Sequence, residues 1–174
     1  MPAAKFAFVK FAFAKFAFGC AVVPLVPTLA APAHAQLIAR KDMSYPMALA
    51  IAQGALEDCK ARGYAVSVVV VDRAGANMVA LRADGAGPHT MENARRKAYT
   101  ALTFRMTTEE FAKLMETQAV RRQQATLPGV IGIPGGVPVK VGNDVIAGVG
   151  LSGSPGVDEP CVRAGLAKVA DQLK

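Results

Sequence analysis

The chain has 174 residues, 52% of them hydrophobic, so it is long and apolar enough for about one domain that builds its core without a metal. Lys and Arg number 20 against 13 Asp and Glu, a formal net charge of +7. No platform of aromatic and basic residues accompanies that charge, so nucleic acid is not an expected partner.

Residues 1–35 read as a signal peptide. Lys5, Lys10 and Lys15 punctuate the repeat KFAFVKFAFAKFAF, an apolar stretch follows, and Ala33-His34-Ala35 forms an A-x-A cleavage pattern before Gln36. Pro24, Pro27 and Pro32 make this stretch a poor membrane-spanning helix. Cleavage would deliver residues 36–174 to the periplasm or the medium. Three lysines leave with the signal, so the remainder carries 17 Lys and Arg against 13 Asp and Glu, a net of +4.

Ser44 caps a first helix, with Pro46 in its first turn and Ala48, Ile51, Ala52, Ala55, Leu56 and Cys59 on one face. Gly63 ends it. Tyr64 to Val71 is a nearly continuous β-branched run, the pattern of a strand covered on both faces. A turn at Asp72-Arg73-Ala74-Gly75 leads into an antiparallel strand over Met78 to Leu81. The glycine-rich turn Asp84-Gly85-Ala86-Gly87-Pro88 then delivers His89 to a helix start. Ala94, Ala98, Ala101 and Leu102 form the apolar stripe of that helix, with Thr90 expected as N-cap and Glu92 expected to pair with Arg96.

Another helix begins at Thr107 or Thr108, with Phe111, Leu114 and Met115 inward. Val120 to Pro128 is expected to be irregular and Val130 to Ile133 a short strand. Pro134 and Pro138 bracket Gly135-Gly136, so pairing there is edge-like. Val139 to Val141 and Val145 to Leu151 form a hairpin about Gly142-Asn143-Asp144. In its second arm Val145, Ala147, Val149 and Leu151 share a face, while Gly148 and Gly150 let something lie close against the other. A last helix carries Val162, Leu166, Val169 and Leu173 on one stripe. The order α β β α α β β β α, with hairpins, predicts an α+β fold: an antiparallel sheet with helices packed on it.

Five segments, in order, carry a family likeness: VVVDRAG from Val69, DGAGPHT with ARRKAYTA from Asp84, GGVPV from Gly135, GVGLSG from Gly148 and DEPC from Asp158. Together they resemble the GlcG/HbpS family of haem-binding proteins, over roughly Met43 to the C-terminus. The resemblance implies a single domain over residues 36–174. It also implies a profilin-like, five-stranded antiparallel sheet with helices on both faces, and a homo-oligomer. In function it implies a haem or tetrapyrrole carrier, a scavenger, or an accessory to a membrane sensor. An enzyme or enzyme subunit acting on a small acidic metabolite, in a pocket made by 85–89 and 135–138, is the alternative.

His89 is the expected axial ligand of haem iron, because neutral imidazole is a common haem ligand. Gly85 and Gly87 would let a macrocycle approach the backbone, and Gly135 and Gly136 would lie opposite. A Thr90 or Tyr99 oxygen is the rival ligand; Met91 and Tyr99 are also candidate second ligands, although packing is the better reading of both. Arg95, Arg96 and Lys97 point about 100° apart on a helix, so one or two can meet an acidic group, and Arg95 or Lys97 is preferred. Asp72 and Asp84 suit turns better than metal, and Asp158 and Glu159 are further acids. Gly150-Leu151-Ser152-Gly153-Ser154 lacks the second glycine of a nucleophile elbow in register. No zinc, Walker or dinucleotide pattern is present. Cys59 and Cys161, the two cysteines remaining after cleavage, are expected to form a disulfide, with two buried free thiols as the rival.

Overall fold

The computed structural model describes residues 36–174, and the expected signal peptide, with His34 and Cys20, lies outside the described residues. Helix α1 spans Tyr45–Ala61. The Ser44 hydroxyl accepts from the Met47 amide at its start, and Gly63 takes φ +85° just past its end. Strand β1 (Ser67–Val71) is buried along its whole length, and β2 (Asn77–Arg82) pairs with it antiparallel. Asp72 holds the turn between them, its Oδ1 accepting from the amides of Ala74 and Ala76. Helix α2 runs Thr90–Phe104, α3 Thr108–Thr117 and α4 Ala119–Gln124. Thr107 and Glu110 cap α3 reciprocally, each side chain bonding the other residue's amide. Strands β3 (Gly136–Val141) and β4 (Asp144–Ser152) precede α5 (Asp158–Ala167) and a 3₁₀ turn at Ala170–Leu173.

The sheet order is β2-β1-β4-β3, antiparallel throughout. Helices α1 and α5 cover one face, where Val68, Val70, Ala147, Val149 and Leu151 meet Ile51, Ala55 and Val162 in the larger core. Helix α2 covers the other, where Val69 and Val71 meet Ala94 and Ala98. The alternation of β1 between two cores explains why its sequence reads as an unbroken apolar run.

Among the described residues the sheet has four strands, not the expected five. The missing one is Val130–Ile133. Its backbone groups are taken by α2 side chains instead: the Val130 carbonyl accepts from Arg96 Nη2, and the Ile131 amide donates to Thr100 Oγ1 at 2.9 Å. Two further expectations are corrected. Residues 120–124 of the segment expected to be irregular belong to α4, and the last helix stops at Ala167 before the 3₁₀ turn.

Gly148 and Gly150 set the depth at which α2 lies on the sheet. A Cβ at Gly150 would collide with the Ala94 carbonyl and stand 2.5 Å from the Ala98 nitrogen; one at Gly148 would collide with the Ala98 carbonyl. Both obstacles are backbone, which cannot rotate aside. Gly150→Ala is therefore expected to destabilise the fold by roughly 1–3 kcal/mol, the cost of overpacking a tight core. A urea midpoint equal to that of the parent protein would contradict this seating of α2.

Opposite α2, a disulfide joins Cys59 of α1 to Cys161 of α5, with a Cα–Cα distance of 5.5 Å. The expected pairing is thus present, and it clamps the two helices of the larger core.

Candidate functional site

The turn at 84–88 and the first turn of α2 open onto a cavity of about 650 Å³. That volume falls within the roughly 300–1,000 Å³ of small-molecule and cofactor sites. Gly85, Gly87, His89 and Thr90 line one side, and Ile133 and Pro134 another. The loop after β4 (Ser152, Gly153, Pro155, Gly156) closes a third, while Lys97 and Asp158 also line it.

His89 is exposed, with helical backbone angles (φ −75°, ψ −18°), and occupies the N-cap position of α2. Gly87 makes room for its ring: a Cβ there would stand 3.0 Å from His89 Cε1 and 3.2 Å from Nδ1. Gly85 holds φ +80°, a conformation that side chains resist. Thr90 is not the N-cap as expected but the first helical residue. Its hydroxyl donates to the Gly87 carbonyl at 2.7 Å and lies 2.7 Å from Ser67 Oγ, tying the turn to β1.

The three basic residues go three ways, as their angular spacing requires. Arg95 pairs with Glu92 at 2.8 Å, in place of the expected Glu92–Arg96 pair, and its guanidinium holds the Glu92 carboxyl below the usual carboxylate range. Arg96 turns to the Val130 carbonyl. Lys97 enters the protein with 1% of its surface exposed. Its ammonium donates to Asp158 Oδ2 at 2.6 Å and to the Leu151 carbonyl at 2.9 Å. Burial pulls the Lys97 pKa below its ordinary value, and Asp158 opposes that pull. Asp158 Oδ1 accepts from both the amide and the hydroxyl of Ser154 at 2.8 Å. Ser154 Oγ also lies 3.2 Å from Cys59 Sγ, so the disulfide adjoins this polar network.

Gly135 and Gly136 stand behind the cavity rather than among its lining residues. A Cβ at Gly135, which has φ +119°, would come within 2.6 Å of Asp158 Cβ and 3.1 Å of Lys97 Nζ; one at Gly136 would collide with the Lys97 carbonyl. These glycines make room for the buried pair and for α2. Tyr99 packs against Gly75 and Gly129. Among the described residues no cluster of three His, Cys, Asp or Glu side chains could hold a metal ion by itself.

The chain matches the family model described as "Haem degrading protein HbpS-like" over residues 43–167. It belongs to the HbpS-like family. Protein GlcG of Escherichia coli is 30% identical over 110 residues, 63% of this chain and 81% of that one. The crystal structure of HbpS superposes with a TM-score of 0.71 at 38% identity, covering 76% of this chain and 93% of that one. An HbpS double mutant from Streptomyces reticuli gives the same score and identity over 79% and 96%. A crystal structure described as a PduOC:haem complex matches at TM-score 0.68 and 25% identity, over 74% and 95%.

Of the residues singled out in sequence, His89, Gly85, Gly87, Thr90, Lys97 and Asp158 meet around one cavity, and Arg95, Gly135 and Gly136 do not line it. Asn93, Ser152 and Ser154 were not singled out for the site; the first two line the cavity and the third fixes Asp158. Lys97, preferred with Arg95 to meet an acidic group, also carries a signal of its burial: it falls three residues after Ala94 and next to Ala98, on the buried stripe of α2. A lysine on a buried stripe needs a partner.

Proposed function

We propose that this chain is a secreted haem-binding protein of the GlcG/HbpS type, acting as a carrier, a scavenger or an accessory to a membrane sensor. The observation that carries the reading is the exposed His89 imidazole at a 650 Å³ cavity, on a turn without side chains at 85 and 87. Family membership and the likeness to a haem complex support it.

The residues present fit haem. Neutral imidazole is a nitrogen donor suited to haem iron. Ala65, Ile133, Pro134 and Pro155 give the cavity an apolar wall, and the glycines leave space against the backbone. Bound haem would supply the iron chemistry, while this chain supplies the ligand, the orientation and the enclosure. Thr90 is a poorer iron ligand than His89 because its hydroxyl is already bonded, and Tyr99 is packed elsewhere. Arg95, held by Glu92, is left out of the proposed site.

His89→Ala is expected to move the Soret band of the haemin complex and weaken binding by at least ~10-fold, equivalent to ~1.4 kcal/mol. Folding should be preserved, because an exposed turn histidine contributes little packing. An unchanged spectrum and affinity would remove His89 from the site. Saturation at a fixed stoichiometry is required, because haemin adheres to apolar surfaces.

The proposal includes export and self-association. Val120 and Leu127, exposed by 55% and 52%, are apolar surface that a second copy would cover. The exported protein is expected to begin at Gln36 and to sediment above its monomer mass at micromolar concentration. Intact Met1 in the exported pool, or a monomer alone, would overturn the corresponding part.

A further inference from the structure

Lys97 is one acceptor short. An ammonium carries three N–H donors. One reaches Asp158 Oδ2 and another the Leu151 carbonyl, and among the described residues the third has no acceptor. Asp158 accepts three bonds, one on Oδ2 from Lys97 and two on Oδ1 from the amide and hydroxyl of Ser154, so Oδ1 is filled and one lone pair of Oδ2 remains. With Lys97 99% buried and lining the cavity, a ligand that brings an acceptor would complete its ammonium.

The field around the pair selects the kind of acceptor. The cavity lies between two helix starts: His89, Thr90 and Asn93 belong to the beginning of α2, and Gly156 and Asp158 to the beginning of α5. First-turn amides lack intrahelical partners and carry positive partial charge. Asp158 is the single carboxylate among the residues lining the cavity, and Lys97 neutralises it. A second carboxylate entering from solvent therefore meets a neutral ion pair with an N–H to offer, and two positive helix ends.

We propose that Lys97 is a carboxylate-binding subsite of this cavity, its third N–H donating to an acid oxygen of the bound ligand. The acid is either a propionate arm of a tetrapyrrole or the carboxylate of a small organic acid. The inference rests on the cavity assigned above but not on His89 or on iron.

Two measurements on the full chain separate the cases. The first follows the Lys97 Nζ resonance in ¹⁵N-lysine-labelled protein as sodium propionate is added. The second compares haemin with haemin dimethyl ester, whose propionates are blocked, on the parent protein and on Lys97→Met/Asp158→Asn. The double variant removes the ammonium and leaves an oxygen for Ser154. The expected results are a saturable shift of Nζ and a preference of about tenfold or more for haemin over its ester, abolished in the double variant.

A propionate shift without stoichiometric haemin binding supports the small-acid source and defeats the haem reading alone. Haemin preference without a propionate shift supports the tetrapyrrole source. Equal affinity for haemin and ester, with Nζ unmoved by propionate, overturns the subsite, even if His89→Ala still shifts the Soret band. Should the double variant fail to fold, the two measurements on the parent protein decide.

Discussion

Lys97→Met is expected to lower stability by roughly 3–5 kcal/mol, the cost of leaving a buried charge without its partner. The pair is shielded on both sides, with side-chain exposures of 1% for Lys97 and 9% for Asp158. Methionine matches the lysine stem in volume, so little of the loss comes from packing. The Asp158 carboxylate would keep its two bonds from Ser154 but lose its cation in a site that water barely reaches. Lys97→Met/Asp158→Asn should recover most of the loss, because an amide oxygen still accepts from Ser154 and no uncompensated charge remains. Urea unfolding of the single and double variants checks this. A double variant as unstable as the single one would show that Lys97 matters for shape rather than for charge.

Removing the disulfide is expected to cost nearly as much. Cys59 and Cys161 are 102 residues apart, and loop-closure entropy for that length gives ~4–5 kcal/mol as an upper estimate. For a protein of this size the melting temperature should fall by roughly 8–20 °C in Cys59→Ala/Cys161→Ala. The loss should be only partly offset by α1–α5 packing, which is already close: a Cβ at Gly165 would stand 2.9 Å from the Ala55 nitrogen. Thiol titration of the denatured, unreduced protein lacking residues 1–35 should find no free thiol. Two titratable thiols, with an unchanged melting temperature in the double variant, would refute the bridge.

How legible the site was depended on the kind of signal each residue leaves. The 84–88 turn was readable because glycine and proline act locally, on the backbone that carries them. His89 and Thr90 follow that turn directly, so the same signal placed them together. Thr90 was nonetheless misassigned as a cap, because its hydroxyl is taken by Ser67, a strand residue 23 positions away. Val130 to Ile133 failed in the same way. Its composition suits a strand, but its backbone groups are claimed by Arg96 and Thr100 across 34 and 31 positions. Local propensity cannot report a partner that arrives from another element.

By itself, the sequence determined what depends on period and punctuation. Ser44 and Gly63 bound α1, the unbroken run before Asp72 set a strand between two cores, and Gly148 with Gly150 reserved one side of β4 for a close neighbour. The two cysteines also stood out, since they lie on the buried faces of helices. Tertiary structure alone decided which neighbour fills the reserved face, that the sheet keeps four strands, and that Lys97 meets Asp158. The reason is physical. An ion pair 61 residues apart in sequence exists only once α2 and α5 are packed at the end of β4, and its free energy depends on the water excluded by that packing. The cavity above it has the same origin, because each wall comes from a different segment of the chain.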